Sequence, residues 1–192
     1  TTSADFPGVT GGAQSSLAGL DDVFISRFNA ELTTLLQTTF LGGGGNDFGL
    51  ALALDPANGV VYVAGSTNST DFHGATGGAQ QTYGGAAADG FVSRLSSDLT
   101  TLGQSTYLGG SQYDTVRAVV VDATSGDVYV TGETGSTNFP SVTGGAQATN
   151  AGGSDAFVSR LNADLTAVGQ STYLGGSGST GNDFGYRLAV HP

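Results

Sequence analysis

The chain has 192 residues, of which 33 are Gly, and its formal net charge is -11 at pH 7. The 16 acidic residues outnumber the five basic ones, so neither nucleic acid nor an anionic membrane surface is expected as a partner. Cys is absent, which excludes disulfides and thiolate chemistry, and the apolar runs are too short to insert into a membrane.

One decapeptide occurs three times along the chain, with small variations. It reads DFPGVTGGAQ at 5–14, DFHGATGGAQ at 71–80 and NFPSVTGGAQ at 138–147. The flanking segments recur with it at a period of 66 to 67 residues, which predicts a repeat architecture. We predict a single repeat array, cut from a longer chain or polymer, with a partial repeat at 1–45, repeats at 46–112 and 113–178, and a partial repeat at 179–192.

The first partial repeat contains two predicted strands, FISRF at 24–28 and QTTFLGG at 37–43. The repeat at 46–112 adds two strands before these, GLALALD at 49–55 and VVYVAG at 60–65, joined by an Asn-Gly turn that is typical of hairpins. A segment of about 20 residues with the decapeptide follows, and then FVSRL and QSTYLGG, the counterparts of the first two strands.

The repeat at 113–178 has the same four strands, VRAVVVD, DVYVTG, FVSRL and QSTYLGG. The last residues, YRLAVHP, are predicted to form one more first strand with an unpaired edge. Four short antiparallel strands per repeat predict an all-β protein of β-propeller-type blades, with roughly three repeats of 66 to 67 residues. The long segments at 66–88 and 133–154 are predicted to lie on one face of the assembly.

Several motifs occur in the order of a known family. STYLGGS, TGGAQ and GGSDAFVSRLN resemble the bacterial β-propeller repeats called SBBP repeats, and the resemblance covers the whole chain. It implies a large secreted or surface-attached bacterial protein, and hence an extracellular or cell-surface location. It supplies no catalytic residues.

Two sets of aspartates recur in every copy, one before the third strand and one after the LGG turn. Asp favours turns and is also a good calcium ligand, and 14 of the 16 acids are Asp. The first set is interpreted as an ion-pair ladder with Arg27, Arg94 and Arg160 of neighbouring blades. The alternative is repeated calcium sites, with calcium as the cofactor, formed by Asp22, Asp89, Asp155, Asp47, Asp114 and Asp183.

No acid, base and nucleophile converge in the sequence, so an enzyme is not predicted. The leading hypothesis is an extracellular structural protein that forms a surface fibre, stalk or layer, with other copies of itself as head-to-tail partners. The alternative is an adhesin whose long loops bind a glycan or another ligand, with Tyr83 as the main aromatic candidate.

Overall fold

A computed structural model describes residues 1–85, 87–178 and 181–191. Its secondary structure is ten β-strands, and this part of the chain has no helix that could cross a membrane. The strands form one two-stranded and two four-stranded sheets, which confirms the predicted all-β class. We call the two-stranded sheet the half blade and the four-stranded sheets the first and second full blades.

All neighbouring strands within each sheet are antiparallel. The half blade consists of β1 (Val23–Phe28) and β2 (Leu35–Leu41). The first full blade has the order β3 (Asp47–Leu54), β4 (Val61–Thr67), β5 (Asp89–Leu95) and β6 (Leu102–Leu108). The second full blade has the order β7 (Asp114–Val121), β8 (Val128–Thr134), β9 (Asp155–Leu161) and β10 (Val168–Leu174).

The turn between the first two strands of each full blade depends on a glycine. Gly59 has a φ of 74° and Gly126 has a φ of 75°. This left-handed conformation favours glycine, which has no Cβ. The amide of Asp55 donates to the Val60 carbonyl at 2.9 Å, closing the turn around Gly59. The local sequence therefore fixes the hairpin and, with it, the register of β3 on β4.

The core lies between blades. β7 packs across β3, β4 and β5 of the first full blade, so Tyr62 of one blade and Val119 of the next belong to one buried cluster. A sheet with two apolar faces must bury both, and stacking blades achieves this. Each blade is therefore incompletely buried until its neighbours are in place.

The decapeptide lies at these blade junctions. The amide of Ala13 donates to the Leu99 carbonyl of the next blade, and that of Ala79 donates to the Leu165 carbonyl, at 3.0 and 2.9 Å. Because this segment touches both its own blade and the next, every junction needs it in the same form. This contact explains why the decapeptide is repeated.

The aromatic residue at the start of each long segment takes the same place in both full blades. The Phe72 ring lies 4.6 Å from Phe91, and the Phe139 ring lies 4.4 Å from Phe157. The hydroxyls of the fourth-strand tyrosines, at 107 and 173, accept from the amides of Phe72 and Phe139 respectively. Equivalent segments thus pack alike on their blades.

The strand predicted for YRLAVHP, near the end of the chain, is wrong for its described residues, 186–191. Residues 183–191 have no strand assignment, and only Asn182 makes a bridge, to Ser154. A first strand takes its ladder partner from the second strand of its own blade, and no described strand follows this one. The segment lies instead on the second full blade, where the Gly185 amide donates to the Gly132 carbonyl at 2.9 Å. Residues 179 and 180, where the last partial repeat was predicted to begin, and Pro192 lie outside the described residues.

Candidate functional site: aspartate pairs at the blade junctions

Two buried aspartates from neighbouring blades converge at the junction of the full blades. Asp89 begins β5 and Asp114 begins β7, and both are fully buried. A Cβ added at Gly109 would lie 2.8 Å from Asp114 Oδ2 and 3.1 Å from Asp89 Oδ1. The turn glycine is therefore required where the two carboxylates approach each other.

The same pair of aspartates occurs at the junction of the half blade with the first full blade. After the second full blade, the corresponding two aspartates do not both become buried. Asp22 and Asp47 flank Gly42, whose added Cβ would lie 2.6 Å from Asp47 Oδ2 and 2.9 Å from Asp22 Oδ1. At the third junction Asp155 is buried, but Asp183 is exposed. The fold thus brings the recurring aspartates together in pairs at the first two junctions.

The glutamine of the decapeptide joins each pair to its turn. Gln80 Nε2 donates to Asp89 Oδ2 at 3.3 Å, and Gln80 Oε1 accepts from the Gly109 amide at 3.1 Å. The Gly84 amide also donates to Asp89 Oδ2, at 2.6 Å. Gln14 and Gln147 hold Asp22 and Asp155 in the same way. The near-constant spacing of Gln and Asp was the available signal for this contact, which sequence reasoning missed.

The second aspartate of each pair binds the turn and the loop of its own blade. Asp114 Oδ2 accepts from the Gly110 amide at 2.7 Å and from Ser136 Oγ at 2.9 Å. Asp47 Oδ2 accepts from the Gly43 amide at 2.8 Å and from Ser69 Oγ at 2.9 Å. Both aspartates therefore act as acceptors that order loops, a role that needs no ligand.

Burial changes the acidity of these carboxyls. Loss of hydration raises the pKa of Asp89 from 3.8 to about 7, and the nearby Asp114 charge adds to the effect, while the Gly84 and Gln80 hydrogen bonds oppose it. Burial also raises the pKa values of Asp47 and Asp114. Ionising these residues is therefore less favourable in the folded chain than in the unfolded chain.

We expect the folded state to lose stability as the pH rises from 3.8 to about 7. In this window the folded chain binds more protons than the unfolded chain, so the free energy of unfolding falls with pH. Thermal melts across this range test the prediction. Asp89→Asn should reduce the slope of melting temperature against pH. Asp5→Asn, which removes an exposed charge, should leave that slope unchanged. A slope that is the same in Asp89→Asn and the wild type would contradict it.

The predicted ion-pair ladder is wrong. Arg94 pairs with Asp164 of the next blade, and Arg160 lies 3.9 Å from Asp127. The recurring Asp and Arg are five residues apart on one strand, about 16 Å at strand spacing, so they lie at opposite ends of each blade. The Arg94 pair does connect two blades, but with a turn aspartate as its partner.

Calcium at the aspartate pairs stays a prediction. In the described ranges, no three His, Asp or Glu side chains come together as a metal site. A bound ion would use the carboxylate oxygens without hydrogen-bond partners, such as Asp89 Oδ1 and Asp155 Oδ1, with backbone carbonyls.

If calcium binds there, millimolar calcium should raise the melting temperature at pH 8 and a chelator should lower it again. Asp155→Asn should reduce the response, and Asp5→Asn should not. A melting temperature that is identical with calcium and with chelator would rule the site out.

The stretches that match a known family also span the blade junctions. The sequence model described as the SBBP β-propeller repeat matches residues 38–73 and 105–140. The chain contains two SBBP repeats. Each matched stretch runs from the fourth strand of one blade into the first two strands of the next, and so includes Gly42 and Asp47 or Gly109 and Asp114. No curated protein matches the chain.

Glu133 is one of the acidic residues that differ between the two SBBP repeats. Glu133 is buried and pairs with Arg117, whereas the equivalent positions in the first full blade carry Ser66 and Leu50. The Arg117 guanidinium also lies 5.5 and 5.4 Å from the ring centres of Phe184 and Tyr186. Glu133 thus has a structural partner at the junction with the end of the chain.

Proposed function

We propose that this chain is a structural, non-catalytic module of an extracellular β-propeller repeat protein. Copies pack head to tail through unfinished blade junctions and so build a surface fibre, stalk or layer. The observation that carries the proposal is a difference between two equivalent side chains. Leu52 in β3 is 54% exposed, whereas Val119, at the same place in β7, is 6% exposed.

The difference has a simple cause. β7 packs on a complete blade, whereas β3 has few contacts with the half blade. The face of β3 therefore presents a row of large apolar side chains, at least 48% exposed, at Leu50, Leu52 and Leu54. Contiguous exposed apolar surface of this kind is typical of an interaction site.

The outer face of the second full blade is also incompletely covered by the described residues. Tyr62 in β4 is buried between two full blades, but its counterpart Tyr129 in β8 is only half-buried. Among the described residues, the segment 181–191 lies on this blade, with Phe184 and Tyr186 exposed. Among the described residues, β1 and β2 have no first and second strands beside them, and residues 186–191 carry a first-strand sequence outside any sheet. A two-stranded sheet and a first-strand sequence without a sheet are complementary, which supports head-to-tail packing.

The adhesin alternative depended on Tyr83. Its ring centre lies 6.1 Å from that of Tyr107, and its side chain is half-buried against the blade. Tyr83 therefore serves packing within the first full blade, and no other observation favours a glycan site.

The mass of the purified chain in solution tests the proposal. Light scattering after size exclusion should show masses above the 19.0 kDa of one copy, increasing with concentration. Leu52→Asp places a charge on the apolar row and should give monomers. Thr143→Asp adds the same charge at an exposed position in the second full blade and should assemble like the wild type. A wild type that stays monomeric at every concentration would contradict head-to-tail assembly.

A further inference from the structure

The outer edge of the first full blade is covered, although no strand lies there. β6 is the last strand of this blade, and β5 is its only partner strand among the described residues. An edge strand normally leaves every second backbone N–H and C=O group free to pair with another chain. Ser105 and Tyr107 of β6 are nevertheless at most 1% exposed. Something other than a strand therefore covers this edge.

The cover is the decapeptide segment of the same blade. The amide of Ser105 donates to the Gly74 carbonyl, and the amide of Tyr107 donates to the Gln80 carbonyl, both at 3.0 Å. We call residues 74–80 the edge strap of this blade. Its two contact points are six residues apart in the chain, whereas those on β6 are two apart. The edge strap is therefore not a strand, and it offers no regular ladder to a further chain.

The outward carbonyls of β6 are satisfied by side chains of the strand itself. Gln104 Nε2 donates to the Ser105 carbonyl at 2.8 Å, and Thr106 Oγ1 donates to the Tyr107 carbonyl at 2.9 Å. Gln104 Nε2 also donates to the Gly74 carbonyl of the edge strap at 2.6 Å. Both N–H and both C=O groups of Ser105 and Tyr107 thus have partners, so this stretch offers no template for strand addition.

The same cover occurs in the other two sheets, where the edge straps are residues 8–14 and 141–147. At 2.8 to 3.0 Å, the strap carbonyls accept from the fourth-strand amides of Thr38, Phe40, Ser171 and Tyr173. The carbonyls of these four residues accept from the counterparts of Gln104 and Thr106, which are Gln37, Thr39, Gln170 and Thr172. The covered edge therefore explains why Gln and Thr recur in every fourth strand.

Each edge strap needs glycine where it touches its strand. A Cβ at Gly78 would lie 2.3 Å from the Ser105 carbonyl oxygen. In the other straps, a Cβ at Gly12 or Gly145 would lie 2.4 Å from the corresponding carbonyl oxygen. Because the atom that the Cβ meets is backbone, it cannot rotate aside, and a larger residue would push the strap away from the strand.

We propose that the edge straps prevent the fourth strands of two copies of this chain from pairing edge to edge. When its strap is displaced, β6 presents free N–H and C=O groups, and Thr106 and Tyr107 are residues that favour strands. Two identical edges are self-complementary when they pair antiparallel about a two-fold axis, so the partner is β6 of a second copy. The inference goes beyond the proposed function, because the straps cover the edges of a single copy as well.

Gly78→Ala, made in the Leu52→Asp background, tests the proposal. The background removes head-to-tail growth, so that larger species come from the edges, and circular dichroism verifies the fold. Amide exchange measured by NMR should be at least about fivefold faster at Ser105 and Tyr107 than in Leu52→Asp alone, because each amide loses a hydrogen bond. Light scattering should show dimers and larger species in place of the 19.0 kDa monomer.

Gly132→Ala in the same background is the matched control. Its Cβ would meet backbone atoms of Thr115 and Val116 in the second full blade, away from the edge straps. It should lower stability and leave the mass at that of the monomer. If Gly78→Ala does not fold, Gln104→Ala removes the hydrogen bonds of that side chain without adding atoms and should produce the same changes to a smaller extent.

Three results would overturn the proposal. The first is unchanged exchange at Ser105 and Tyr107 in the folded strap variant, and the second is faster exchange in a variant that stays monomeric. The third is equal association of Gly132→Ala and Gly78→Ala, which would show that loss of stability, rather than release of the strap, causes association. A wild type that is monomeric would contradict head-to-tail assembly alone, because the strap variants are compared within one background.

Discussion

Replacing Phe157 by Ala is expected to lower the free energy of unfolding by about 3–5 kcal/mol, the usual cost of removing a buried phenylalanine. Phe157 is fully buried, and its ring centre lies 4.4 Å from that of Phe139. Both rings belong to the core around the second full blade, where little space exists for neighbours to relax. Urea unfolding monitored by circular dichroism measures the change.

The chain provides a matched control for this substitution. Phe24 occupies the same repeat position in the half blade, also beside a phenylalanine, Phe6, at 4.2 Å, but it is 45% exposed. Phe24→Ala should therefore cost about 1 kcal/mol or less. Equal losses at the two positions would show that the half blade is as well packed as the full blades, contrary to this account.

Gly132→Ala is expected to destabilise the chain by about 2–3 kcal/mol, at the upper end of overpacking effects. A Cβ there would lie 1.8 Å from the Thr115 carbonyl oxygen, and the other close atoms, in Thr115 and Val116, are also backbone. The strand β7 would have to move away from β8, because no side chain can rotate aside. Thermal and urea unfolding should both record the loss.

Gly176→Ala is the control for the glycine substitution. A Cβ at Gly176 would meet no described atom within 4 Å, so the stability should change by no more than about 0.5 kcal/mol. If Gly132→Ala behaved like Gly176→Ala, the close contact between β7 and β8 would be incorrect.

The strands could be predicted because each depends on local signals. Alternating residues such as Phe91, Ser93 and Leu95, and glycine turns such as Asn58-Gly59, are visible in the sequence, and the repeats confirm one another. The recurring aspartates were also visible. Their pairing over a glycine was not, because it depends on how two blades stack.

Two predictions failed for physical reasons that lie outside local sequence. The predicted Asp–Arg ladder was based on the face of the strand that each residue occupies. It did not take into account that Asp89 and Arg94 lie at opposite ends of β5. The strand expected at 186–192 had a suitable sequence but needed a partner strand that no described residue supplies. In both cases the outcome depended on the neighbouring strand or blade rather than on the sequence of the segment itself.

The central claim is that each strand of this fold depends on pairing and packing from its neighbours. Hydrogen–deuterium exchange of the full chain measures this directly. Amides in Val23–Phe28, which are paired on one side, should exchange faster than those in Asp89–Leu95 and Asp155–Leu161, which are paired on both sides. Equal exchange rates in the three strands would contradict the claim.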